Sequence, residues 1–154
     1  MTGKEQLESF ISRYTPEVAA CARRALVKMR RRLPGAVELV YDNYNALVIG
    51  FGPSERASEA IFSIALYPRW VNLFFLQGAT LPDPTGRLRG TGKIVRNIVL
   101  RDATELDEPE VRTLMDLAAR CAKNPIDGSR RRRLVIRSIS AKQRPRRPVT
   151  NSKP

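Results

Sequence analysis

The 154-residue chain contains no histidine. That absence excludes Ser-His and Cys-His catalytic pairs and imidazole metal ligands. Its 2 cysteines, Cys21 and Cys121, are too few for a four-thiolate zinc site. No apolar run approaches the roughly 20 residues of a membrane span. The polar N-terminal segment carries no expectation of a secretory leader. Aromatic residues are sparse at 6%, yet hydrophobic residues reach 42%, enough to bury one core in one domain. A cytoplasmic protein is expected. Cys21 and Cys121 fall on apolar helical stripes and read as buried core residues, with no disulfide expected in that compartment.

Acidic residues are missing from the end of the chain. Residues 129–154 hold 10 basic and no acidic side chains, whereas residues 1–128 hold 18 basic and 15 acidic ones. The net charge of +13 therefore belongs largely to the last segment. Basic, proline-containing ends are commonly mobile and bind polyanions without reading sequence. Arg130, Arg131, Arg132, Arg133, Lys142, Arg144, Arg146 and Arg147 are accordingly the candidate nucleic-acid contacts. A solvated terminus that aids solubility is the plainer account. Arginine outnumbers lysine 22 to 6, which favours bidentate contact with phosphate or carboxylate.

Periodicity supplies the architecture. Leu7, Phe10, Ile11 and Tyr14 recur at helical spacing and predict a helix over 5–14. Thr15 and Pro16 suit the N-cap and first turn of a second helix, with Val18, Ala22, Ala25, Leu26, Met29 and Leu33 on one stripe. Arg30, Arg31 and Arg32 crowd its last turn, and Pro34-Gly35 ends it. Short β-branched and aromatic runs over 37–41, 46–51, 60–67, 70–76 and 93–101 predict strands between turn formers. Asp107 and Glu110 read as a capping box for a final helix through Cys121. Residues 133–139 suit one edge strand. The pattern predicts an α+β fold, a two-layer sandwich. Its mostly antiparallel sheet has about five strands, with two N-terminal helices and one C-terminal helix on one face. One domain over 1–128 is followed by a basic tail over 129–154, an edge strand and then disorder.

Several groupings suggest chemistry. Gly90-Thr91-Gly92-Lys93 invites a phosphate-loop reading, because a Gly-rich loop gathers backbone N–H groups around an anion. The full pattern fails: Arg87 stands where the first glycine is required and Ile94 follows Lys93. A strand also follows, not a helix N-terminus. What is left is a basic loop with Arg87, Arg89, Lys93 and Arg96. Asp102, Glu105, Asp107, Glu108 and Glu110 offer oxygen ligands to a hard cation, or simply complement a helix start. Tyr41, Asp42, Asn43 and Tyr44 occupy an expected hairpin tip. Tyr44 with Trp70 and Arg96 would suit a small-molecule pocket, against plain turn chemistry.

The order of elements carries a resemblance. Two amphipathic helices precede the run from Val37 to Asn43. Trp70-Val71-Asn72-Leu73-Phe74-Phe75 ends at Gly78, and Leu81-Pro82-Asp83-Pro84 leads to Gly90-Thr91-Gly92-Lys93. Together they resemble the YdhG-like domain, a family catalogued as a domain of unknown function. The resemblance covers about residues 5–123, most specifically the loop from Gly78 to Lys93 with Arg96 behind it. Residues 136–148 are similar to the tails of related proteins. The resemblance implies a small cytoplasmic α/β domain with no established catalytic residues. Some members are proposed as frataxin-like iron chaperones, so weak iron binding is implied with no ligand assigned here. The combined expectation is a non-enzymatic domain holding a small anion or an acidic partner protein beside the 78–96 loop, through Tyr44, Trp70, Lys93 and Arg96. Nucleic-acid association through the tail is the alternative, and iron delivery the third.

Overall fold

Thr2 opens the first helix: its side-chain oxygen accepts the Glu5 N–H at 3.1 Å, and α1 runs over Gly3–Ile11 in the computed structural model, which describes residues 1–149. The helix stops short of Tyr14. That residue lies in the following turn, where its ring is buried and its hydroxyl donates to Leu66 O and accepts from Leu47 N. Thr15 and Pro16 then start α2 (Pro16–Arg32), with Thr15 accepting the Val18 N–H. Gly35, with φ of 80°, ends this segment. A Cβ there would stand 2.1 Å from Asp127 O, so only glycine fits.

Six strands follow: β1 (Val37–Asp42), β2 (Leu47–Gly52), β3 (Phe62–Leu66), β4 (Val71–Phe75), β5 (Arg96–Leu100) and β6 (Arg133–Ile139). They form one sheet in the order β5-β4-β3-β2-β1-β6. The first five make an antiparallel meander, while β6 joins β1 in parallel. The sheet thus has 6 strands where about five were expected; the sixth is the edge strand expected over 133–139, and it joins the body of the fold. Leu134 and Ile136 explain why: they pack against the core, and Gly3 of α1 sits close over Leu134.

Strand alternation sorts the faces. Leu47, Ile49, Phe51, Phe62, Ile64, Leu66, Leu73, Phe75 and Ile98 meet α1, α2 and α3 (Pro109–Cys121) in one apolar core. The opposite face carries Tyr41, Val48, Ala65, Asn72 and Val99 in one cross-strand row. The β2–β3 loop turns back over one end of that face. A Cβ at Gly52 would lie 2.9 Å from Ala60 Cα. Among the described residues, no helix is long and apolar enough to cross a membrane.

The start of α3 differs from the capping-box expectation. Pro109 takes the first helical position, so Glu108 becomes the N-cap, without a side-chain cap bond. Asp107 is left facing α2 and pairs with Lys28, Arg32 and Arg112.

Candidate functional site

The registers Leu66↔Val71 and Val71↔Leu100 bring the β3–β4 turn beside the end of β5. Pro68 and Arg69 make the turn, and Trp70 leaves it 45% exposed, with its ring 5.7 Å from that of Tyr67. Trp70, Arg69, Val99 and Arg101 line a hollow of about 300 Å³ with Glu17 and Cys21 of α2. A second hollow, of about 360 Å³, adjoins it, shares Val99 and Arg101, and adds Arg87 and Arg89. Together they form a track along the β5 edge.

Electrostatics decide which of these cations are available. Arg87 is spent on Glu105, Glu108 and Glu110. Burial works against its charge, but its hydrogen bond to Glu108 and the nearby carboxylates outweigh that and hold its pKa above the usual value. Arg69, Arg89 and Arg101 are exposed and have no ion pair among the described residues. Two bonds anchor Arg89: its N–H donates to Asn97 O at 2.8 Å, and the Asn97 N–H donates back at 2.9 Å. Asp83 shapes the loop before it by accepting the N–H groups of Arg87 and Leu88. Burial pushes the Cys21 thiol up, away from the reactive thiolate. Cys121, expected in the core, is exposed at the last position of α3; both thiols are free.

The four residues expected to share one groove do not meet. Trp70 lies at the turn end of the sheet, whereas Arg96 pairs with Phe75 at the other end, about 17 Å away at the rise of an extended strand. Tyr44 shares the turn end with Trp70 but sits at the β1–β2 turn, under the guanidinium of Arg144 at 5.7 Å. Arg96 is turned inward on its own loop. It donates to Gly92 O and Val95 O, and its stem packs on Gly78. Lys93 is exposed on that loop, without an ion pair among the described residues. A third recess, about 340 Å³, is lined by Leu81, Gln77, Glu59, Ala118 and Lys123, and neither it nor the hollow holding Arg87 and Arg89 contains Lys93 or Arg96.

The basic segment is also placed differently from a free arm. Arg130, Arg131 and Arg132 are exposed before β6, with Arg132 3.8 Å from the buried Glu38. Arg133 pairs with Glu55 at 2.8 Å. Beyond β6 the chain folds back: the Ser140 N–H donates to Asp42 O and the Arg144 N–H to Tyr44 O. Lys142 and Arg144 stay exposed, Arg147 donates to Arg13 O, and Arg146 is buried against Asp42. Where disorder was expected after the edge strand, these backbone bonds tie 140–144 to the end of β1 and its turn; Thr150 to Pro154, Lys153 included, fall outside the described residues.

The acidic run is engaged as well. Asp102 accepts the Thr104 N–H, which holds its carboxyl below the usual range. Glu105 accepts the Arg101 N–H. Among the described residues, no three metal-ligating side chains come together. Arg69 and Arg101 were not singled out from the sequence. They are neighbours only through the pairing of β4 with β5, and the one local signal is the arginine beside the tryptophan. Tyr14 and Gln143, which frame Asp42, gave none. No family model matches this chain, and neither does any curated protein or solved structure.

Proposed function

We propose that this protein is a non-enzymatic anion-binding module, acting in the cytoplasm, whose ligand is an extended polyanion such as single-stranded nucleic acid. The carrying observation is the dispersal of its available cations. Arg69, Arg89 and Arg101 follow the β5 edge, while Arg131, Arg137, Lys142 and Arg144 follow β6 and the chain after it. A small anion needs donors that converge; a phosphate chain needs donors spaced along a surface. Trp70 beside Arg69 and Arg101 adds a stacking surface for a base. The YdhG-like resemblance is compatible with such a role and assigns it no catalytic residue.

Trp70 is the only tryptophan, so its emission reports on the site alone. A fluorescent single-stranded oligonucleotide is expected to bind, quench Trp70 and lose affinity between about 50 and 200 mM salt. With about six phosphates neutralised, the log–log slope lies near −4 for a single strand and near −5 for a duplex. No anisotropy change at low salt overturns the reading. A second reading rests on the hollow of about 300 Å³ beside Trp70, which would suit a small anion between Arg69 and Arg101. Saturable quenching by inorganic phosphate, with no oligonucleotide binding, would favour it.

A further inference from the structure

We propose that Asp42, Asn43 and Tyr14 form a guanidinium socket that holds the chain's own Arg146, and that this docking competes with use of the segment on a polyanion. The competition rests on the polyanion reading above; the socket does not. Arg146 is only 5% exposed, although Arg144 and Arg147 on either side of Pro145-Arg146 are exposed. Its Nη2 donates to Asp42 Oδ1 at 2.9 Å and to Asn43 O at 2.5 Å. Its guanidinium carbon lies over the Tyr14 ring, 5.8 Å from the centroid. A carboxylate, a carbonyl and an aromatic face are the three features that recognise an arginine side chain.

The socket walls do not depend on their occupant. Asp42 is the last residue of β1, registered against Leu47 and Ile139. The Tyr14 hydroxyl is pinned between Leu66 O and Leu47 N. The occupant, by contrast, is only partly bonded by protein groups. Arg146 Nε and Nη1 are buried with no hydrogen-bond partner among the described residues. Buried donors are nearly always paired, so two without a protein partner mark a docking that phosphate can outbid. Withdrawal does not strand the carboxylate either, because Arg13 Nη1 stands 3.4 Å from Asp42 Oδ2. Around the plug, Gln143 donates to Asp42 O at 2.9 Å and accepts from Arg13 at 2.8 Å. A polyanion that recruits Arg144, Arg146 and Arg147 must break this cluster.

Limited trypsin digestion of the full chain tests the socket directly. Pro145 and Pro148 protect the bonds after Arg144 and Arg147, so the Arg146–Arg147 bond reports on undocking. A protease can take Arg146 only once it leaves the socket. In Asp42→Asn, folded by circular dichroism, cleavage there is expected to be about tenfold faster, and oligonucleotide affinity severalfold tighter. Because Asp42→Asn alters a buried carboxylate at the end of β1, between β2 and β6, Arg146→Ala provides a second test. Methylguanidinium should raise its melting temperature and slow cleavage after Lys142, relative to equal sodium chloride. Unchanged cleavage in Asp42→Asn, or no methylguanidinium response in Arg146→Ala, overturns the socket. Faster cleavage with unchanged oligonucleotide affinity overturns the competition. Failure of both proteins to bind the oligonucleotide overturns the polyanion reading and the competition with it, while the cleavage rates still decide the socket.

Discussion

Tyr14 shows how much one side chain contributes when its partners are backbone groups. Its ring fills the core below the sheet, and its hydroxyl donates to Leu66 O at 3.0 Å and accepts from Leu47 N at 3.1 Å. It thereby ties the start of β2 to the end of β3 at the turn end of the sheet. Tyr14→Phe keeps the ring but leaves a buried carbonyl and a buried N–H without this partner. The expected cost is about 1–3 kcal/mol, read as a lower urea midpoint with an unchanged slope. Burial also raises the Tyr14 pKa, against the lowering pull of Arg146. The neutral hydroxyl is thus favoured in the folded state. Its contribution is present at neutral pH and is lost as pH rises through the raised pKa. Tyr14→Phe should remove that alkaline loss, so the two proteins converge in stability in strong alkali.

At the scale of elements, Asp107 fastens the segment before α3 onto α2. The hydrogen bond from Lys28, reinforced by the charges of Lys28, Arg112 and Arg32, holds its carboxyl below the ordinary carboxylate range. The folded state therefore binds fewer protons than the unfolded chain near about pH 4. The stabilisation is present above that pH and is lost as pH falls through the depressed value. The Asp107 side chain is 39% exposed, so solvent screening keeps the gain within about 0.2–1 kcal/mol. Asp107→Asn should lower the melting temperature slightly at neutral pH and flatten its fall in acid. Asp102 and Asp127, held low by bonds from Thr104 and Ser129, keep part of that slope. Most elements were legible because local signals agree with the fold. Thr15-Pro16, the α2 stripe and the strand alternation each point to one structure. The discrepancies lie where a distant partner decides. Tyr14 continues a helical spacing yet answers to β2 and β3. Asp107 fits a cap yet answers to α2. The edge strand over 133–139 was legible from its own run, but its parallel pairing with β1 was not. The candidate site follows the same rule: Trp70 and the basic loop were visible as residue types. The pairing of Arg101 with Trp70 depends on register, and that of Arg146 with Asp42 spans 104 positions.

At the scale of the whole molecule, charge pairing sets what the surface can do. The deepest carboxylates, Glu38 and Asp42, are neutralised in cis by Arg30 and Arg146, and the acidic run by Lys28, Arg32 and Arg87. Little acidic charge is left to oppose the exposed arginines, which border both edges of the sheet. Arg101 follows β5 and Arg137 lies on β6. Five inter-strand steps of the six-stranded sheet separate those edges, about 24 Å at ordinary strand spacing. Sites that far apart act independently. If one polyanion engages both, Arg101→Gln and Arg137→Gln should each lower the salt slope of oligonucleotide binding by about 1, and the double variant by about 2. Shortening the oligonucleotide until it cannot span the sheet should abolish the effect of one substitution and keep the other. A small-anion pocket beside Trp70 gives a different pattern, in which Arg101→Gln removes binding and Arg137→Gln changes nothing. Measuring both variants across a salt series separates a surface that works by summed charge from one that works by convergence.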